Sequence, residues 1–206
     1  MTFHQARDAL SQVRDLQHLV LEKQRFKGYS GRARMLGGAI ALLAAAVMSS
    51  ASFPQTITWH LFGWGLVSAA GLLVFYGTLL HWFFFKRNGE ARLYPILDAF
   101  PALFVGGIFT LVAIRIGQVD LLFGIWMCLF GLTCLATRHT LPRSYWMVGV
   151  FYITCGTGYL LSPSPSFLNP WPMGLVFFVG ELWGGSIFYF SNQKHFDQET
   201  LHYGKK

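Results

Sequence analysis

Long stretches of this chain carry no formal charge, and the charges gather between them. Met35 to Trp59 is free of Asp, Glu, Lys and Arg, and so are Leu61 to Phe85, Ala99 to Ile114, Leu121 to Thr137, Ser144 to Gly180 and Leu182 to Gln193. Crossing about 30 Å of hydrocarbon takes about 20 mostly apolar residues in helical form. The stretch from Ser144 to Gly180 is too long for one crossing. It is interrupted by Ser162-Pro-Ser-Pro-Ser and Asn169-Pro-Trp-Pro, which stop a helix because proline lacks an N–H and crowds the preceding turn. The pattern predicts six spans, at 35–53, 59–84, 94–116, 120–137, 145–161 and 171–191. The apolar runs are continuous and do not alternate every second residue, so helices are expected and a β-barrel is not. The expected fold is all-α: a polytopic membrane helical bundle of six transmembrane helices. Residues 1–34 form a cytoplasmic segment, 35–192 the bundle, and 193–206 a cytoplasmic tail.

Composition narrows the picture further. Of 206 residues, 53% are apolar and only 12% charged, about half the charge of an ordinary soluble domain. A water-soluble globule, a disordered chain and a disulfide framework are excluded on these grounds. The net charge is +7, and its distribution sets an orientation. Arg7, Arg14, Lys23, Arg25, Lys27, Arg32 and Arg34 precede the first span. Lys86, Arg87 and Arg92 follow the second, Arg138 and Arg143 follow the fourth, and Lys194, Lys205 and Lys206 follow the sixth. Only Arg115 falls on the other side, which places both termini in the cytoplasm by the positive-inside rule. Trp59, Trp64 and Trp171 are expected at the outer boundary, with Trp82 and Trp146 at the inner one. Anionic lipid accounts for the basic excess; direct binding of nucleic acid does not, because the basic residues are spread over four juxtamembrane segments. No cleavable leader is expected, since a charged segment of 34 residues precedes the first apolar run.

Residues 3 to about 26 read as an amphipathic helix. Phe3, Ala6, Leu10, Val13, Gln17 and Val20 recur at spacings of 3 and 4, with Asp8, Asp15 and Glu22 on another face. Gly28 and Gly31 supply a cap and a hinge after it. Such a helix either lies on headgroups or packs under its own bundle, or else it forms a homo-oligomer by dimerising, or docks a cytoplasmic partner, through Phe3, Leu10, Val13 and Val20.

Glu181 stands out among the ionisable residues. Ten residues beyond Trp171, it lies about 15 Å into the sixth span, near the middle of the bilayer. A carboxylate there is costly unless paired, hydrated or protonated. Tyr76, Thr110, Tyr152 and Thr154 are its partners by depth, and Gly180, Gly184 and Gly185 let a neighbouring helix approach. Glu181 is therefore either a protonated acid hydrogen-bonding two helices together or a ligand, ion or proton site that includes Tyr152, Thr154, Tyr76 and, nearer the cytoplasm, Asp98. Asp98, before Pro101, can also cap the third span or pair with Lys86, Arg87 or Arg92. Arg115 and Asp120 flank the outer turn between spans three and four and are expected to pair locally. His60 and His81 are roughly 31 Å apart along one helix and cannot share a metal. Cys128, Cys134 and Cys155 read as buried thiols. No nucleotide-binding or hydrolase motif occurs, and no metal or other cofactor is expected.

The run Gln24-Arg-Phe-Lys-Gly-Tyr-Ser-Gly-Arg-Ala-Arg-Met-Leu-Gly-Gly-Ala-Ile-Ala-Leu-Leu-Ala-Ala-Ala resembles the start of a family of uncharacterised bacterial six-span membrane proteins. Gly180-Glu-Leu-Trp-Gly-Gly-Ser-Ile-Phe-Tyr-Phe is similar to that family's last span. Such proteins are often encoded beside winged-helix transcriptional regulators, so the resemblance implies a cytoplasmic regulator as partner and an inner-membrane location. It implies no catalytic residue. Three functions are then open. The first is non-enzymatic sensing or scaffolding that couples a membrane ligand or state to a cytoplasmic partner. The second is small-solute or proton-coupled transport through Glu181. The third is an intramembrane enzyme acting on lipid, which would need several converging ligands or carboxylates.

Overall fold

The computed structural model describes residues 31–85, 94–137 and 141–203. Among these, six α-helices form and no strand does: α1 (Gly31–Met48), α2 (Ile57–Phe85), α3 (Tyr94–Ile116), α4 (Leu122–Ala136), α5 (Trp146–Leu160) and α6 (Trp171–Tyr203). Short 3-10 turns at Val119–Leu121 and Arg143–Tyr145 lead into α4 and α5. Among the described residues, four segments are long and apolar enough to cross a membrane: Gly31–Met48, Ile57–Val74, Val119–Ala136 and Trp171–Ser191. Phe100–Ile116 is a shorter apolar helix. Leu43, Phe62, Leu73, Phe104 and Leu111 all point outward and are exposed. So many large apolar side chains on the outside are at home against acyl chains rather than water.

The ends of the helices follow from local chemistry. α1 stops where Ser49 and Ser50 turn their hydroxyls back onto the Ala46 and Val47 carbonyls, shortly before Pro54. It therefore ends five residues earlier than the apolar run suggests, and it begins four residues earlier, at Gly31. α3 closes on Gly117, whose φ of 71° is the left-handed conformation glycine adopts freely. The Gln118 N–H then reaches the Ala113 carbonyl at 2.9 Å, and the Gly117 N–H reaches Ile114 at 3.3 Å. α6 opens with Asn169, whose side-chain oxygen accepts the Trp171 N–H at 3.3 Å, and Pro172 sits in the first turn, where no intrahelical donor is lost.

Two antiparallel helix pairs form the centre, α1 with α6 and α4 with α5, and each is closed by small residues. α2 lies along α1, and α3 along α4. At one end of the bundle, Met48, Trp64, Val119, Phe123 and Phe167 make an apolar core. At the other, Cys134, Leu141, Tyr145, Val148, Tyr152 and Phe188 make a second. Trp64 is thus a core residue packed on Phe123 with ring centroids 5.5 Å apart, not part of a boundary belt. Trp59, Trp146 and Trp171 do lie exposed near helix ends. Asp120 does not pair with Arg115. Its carboxylate accepts the Phe167 backbone N–H at 2.7 Å, pinning the α3–α4 turn to the loop before α6, while Arg115 is exposed. A backbone donor buried among aromatic rings holds the carboxylate better than a mobile exposed guanidinium does.

Candidate functional site

The site is built around a charge pair between the first and last helices. Arg34 lies in the first turn of α1. Its Nη2 donates to Glu181 Oε1 at 2.7 Å, and both side chains are about nine-tenths buried. α1 and α6 run antiparallel, so Gly31 lies against Gly185, and Gly38 against Glu181. An added Cβ on Gly38 would sit 2.8 Å from the Glu181 Cβ. That close approach brings the arginine's stem alongside the carboxylate. Arg34 thus reaches inward from the end of its helix, against the usual tendency of long basic side chains near helix ends to extend outward, because the buried Glu181 carboxylate offers a counter-ion.

Residues of α4 and of the α5 region close over the pair. The Tyr152 hydroxyl, on α5, donates to the same Glu181 Oε1 at 3.2 Å. Gly180 makes room for this, since any side chain there would run into the Tyr152 ring. The Arg34 guanidinium lies 5.1 Å from the Tyr145 ring centroid and 5.9 Å from that of Phe130, within range of cation–π attraction. The Tyr145 hydroxyl meets Cys134 Sγ at 3.5 Å. Phe130, Phe151 and Phe177 pack against the Tyr152 ring at centroid distances of 4.8, 5.6 and 5.1 Å. One carboxylate oxygen therefore joins α1, α5 and α6 inside an aromatic sleeve. In such a low-dielectric setting the attraction is strong, and removing either ion strands the other.

Of the partners expected for Glu181, Tyr152 is in contact. Thr154 is exposed on α5. Thr110 is used elsewhere: its hydroxyl donates to the Gly106 carbonyl at 2.8 Å and accepts the Trp126 indole N–H at 3.1 Å. The side chains of Tyr76 and Asp98, and residues Phe3, Leu10, Val13 and Val20, lie outside the described residues. Arg34 is the partner that sequence reasoning overlooked. The charge pattern places it in the cytoplasmic segment, because a span counted by freedom from charge begins only at Met35. A signal was nonetheless present: a lone acid inside a span calls for a cation, and Arg34 directly abuts the charge-free run.

Chemically, the arrangement holds helices together. Among the described residues, no group of three or more His, Cys, Asp or Glu could hold a metal ion. The three cysteines are free thiols. Comparison of the chain with protein-family models, with curated proteins and with solved structures finds no match.

Proposed function

We propose that this protein is a six-span integral membrane protein of a bacterial inner membrane with both termini in the cytoplasm. It acts without enzymatic chemistry, coupling a membrane ligand or state to a cytoplasmic partner protein. The observation that carries this reading is the Arg34–Glu181 pair. It ties the first turn of α1, from which residues 1–30 depart, to α6, whose helix runs beyond Ser191 to Tyr203. A 33-residue helix is about 50 Å long, some 20 Å more than the hydrocarbon is thick. Both cytoplasmic arms thus leave from one locked helix pair, an arrangement suited to passing a change in the bundle to a bound partner. The clustering of basic residues supports the orientation. The resemblance of the first and last spans to bacterial six-span proteins supports a transcriptional regulator as the partner, and the spacing of Phe3, Leu10, Val13 and Val20 in the sequence supports dimerisation or docking through that segment. Transport and lipid chemistry draw less support, because Glu181 is already engaged by Arg34 and Tyr152.

The test is affinity purification from bacterial membranes of the full chain, a chain lacking residues 1–26, and Glu181→Gln. A defined soluble protein retained by the full chain, lost on truncation and altered by Glu181→Gln is the expected outcome. Identical recovery from all three would contradict the reading. Equal solute flux in proteoliposomes of wild type and Glu181→Gln would remove this residue from a transport mechanism.

A further inference from the structure

At the end of the bundle away from the ion pair, α2 carries two buried ring nitrogens without a hydrogen-bond partner. His60 is completely buried, and Trp64 is 9% exposed. His60 Nδ1 lies 3.0 Å from the Thr56 carbonyl. A carbonyl only accepts, so Nδ1 holds the proton of that bond, and in the uncharged ring Nε2 is left with a bare lone pair. His60 Nε2 and Trp64 Nε1 both lack partners. One is an acceptor and the other a donor, and no protein group replaces the hydration each gives up on burial.

The two residues are four apart on one helix and so are neighbours on the same face. They border the same apolar cluster. Phe53 meets the His60 ring edge-on at 5.3 Å and packs on the cluster that contains Trp64 and Phe123. We propose that His60 and Trp64 form a binding site for a single hydroxyl group. The hydroxyl proton goes to His60 Nε2, and the hydroxyl oxygen accepts the Trp64 indole N–H. A hydroxyl is the smallest group that does both, and an ion would find no countercharge on either ring. Two sources can supply it: a trapped water, or the head of a membrane-dissolved alcohol.

Nuclear magnetic resonance of the full chain in lipid nanodiscs, 15N-labelled at histidine and tryptophan, tests this. The Trp64 indole proton is expected to show a cross-peak to a hydroxyl, and His60 Nε2 to resonate as a hydrogen-bonded acceptor. A cross-peak to exchanging bulk water alone identifies water. Additional contacts to carbon-bound protons, with a matching alcohol in the solvent extract, identify the second source. Trp64→Phe is expected to return His60 Nε2 to the free-acceptor position, and His60→Phe to abolish the Trp64 cross-peak. A wild-type Trp64 indole with no hydroxyl contact overturns the proposal, and this arm decides alone if a variant fails to fold. A His60 signal unchanged in folded Trp64→Phe overturns it as well.

Discussion

The α4–α5 and α1–α6 seams solve one packing problem in two ways. In the first, Gly124 and Gly131 on α4 meet Gly156 and Gly149 on α5, seven residues apart on each helix. Added Cβ atoms would lie 2.7 to 2.9 Å from the facing glycine carbonyls. In the second, Gly31 and Gly185 approach equally closely, and Gly174 meets Ala45, but the middle of the seam is occupied by Glu181 against Gly38. At its glycines the α4–α5 seam brings backbone against backbone, and it adds only weak thiol contacts from Cys128 Sγ to the Ile153 carbonyl and the Thr157 hydroxyl, each at 3.9 Å, with no charge. The α1–α6 seam adds a charge that is satisfied only when Arg34 and Tyr152 are both in place. Small residues bring helices together in lipid, where no hydrophobic effect drives them. The ion pair additionally fixes which helix is accepted and at what register, a role that buried polar groups can serve at some cost in stability.

Substitutions separate the two seams, and the largest effect is expected at the charge pair. Glu181→Ala leaves the Arg34 guanidinium buried without a counter-ion, and a loss of about 3–5 kcal/mol is expected. Thermal unfolding in detergent, followed by circular dichroism, measures it. Next, Gly131→Val forces a side chain into the Gly149 carbonyl and Ile153. Overpacking of about 1–3 kcal/mol is expected, read as a lowered midpoint in the same assay, with the Arg34–Glu181 pair unaffected. Tyr152→Phe removes one hydrogen bond to a carboxylate that keeps Arg34. A loss of about 1.5 kcal/mol is expected, less than half that of Glu181→Ala. Gly37→Ala and Gly158→Ala meet nothing within 4 Å. Changes within about 0.5 kcal/mol are expected there, and a large loss at either position would undo the seam argument.

The all-helical character was legible because uncharged apolar runs leave lipid-exposed backbone no other way to satisfy its hydrogen bonds. Starts and stops were legible where a local device sets them, as at Pro170-Trp171-Pro172 and Gly117. The start of α1 was not. Charge-free counting excluded Arg34 from the helix, although a long basic side chain at a helix end can be folded inward. The apolar part of α6 was legible, and the span at 171–191 coincides with Trp171–Ser191; the continuation of the helix to Tyr203 was not, since it is no longer apolar and hydropathy falls silent beyond the hydrocarbon. Glu181 and Tyr152 could be matched by depth along their helices. Depth does not give the angle around a helix, which is why Thr110 and Thr154 were drawn in although their helices turn them elsewhere. Trp64 and the Asp120 carboxylate were misassigned for a related reason: their partners, Phe123 and the Phe167 N–H, come from distant parts of the chain.

The most direct test is a double-mutant cycle across the pair, comparing Arg34→Met, Glu181→Met and both together by unfolding in detergent. Each single change is expected to be strongly destabilising, and the double change to recover much of the loss, giving a coupling of about 2–3 kcal/mol. Additive losses, with the double variant as unstable as the sum of the singles, would show that Arg34 and Glu181 do not meet inside the bundle.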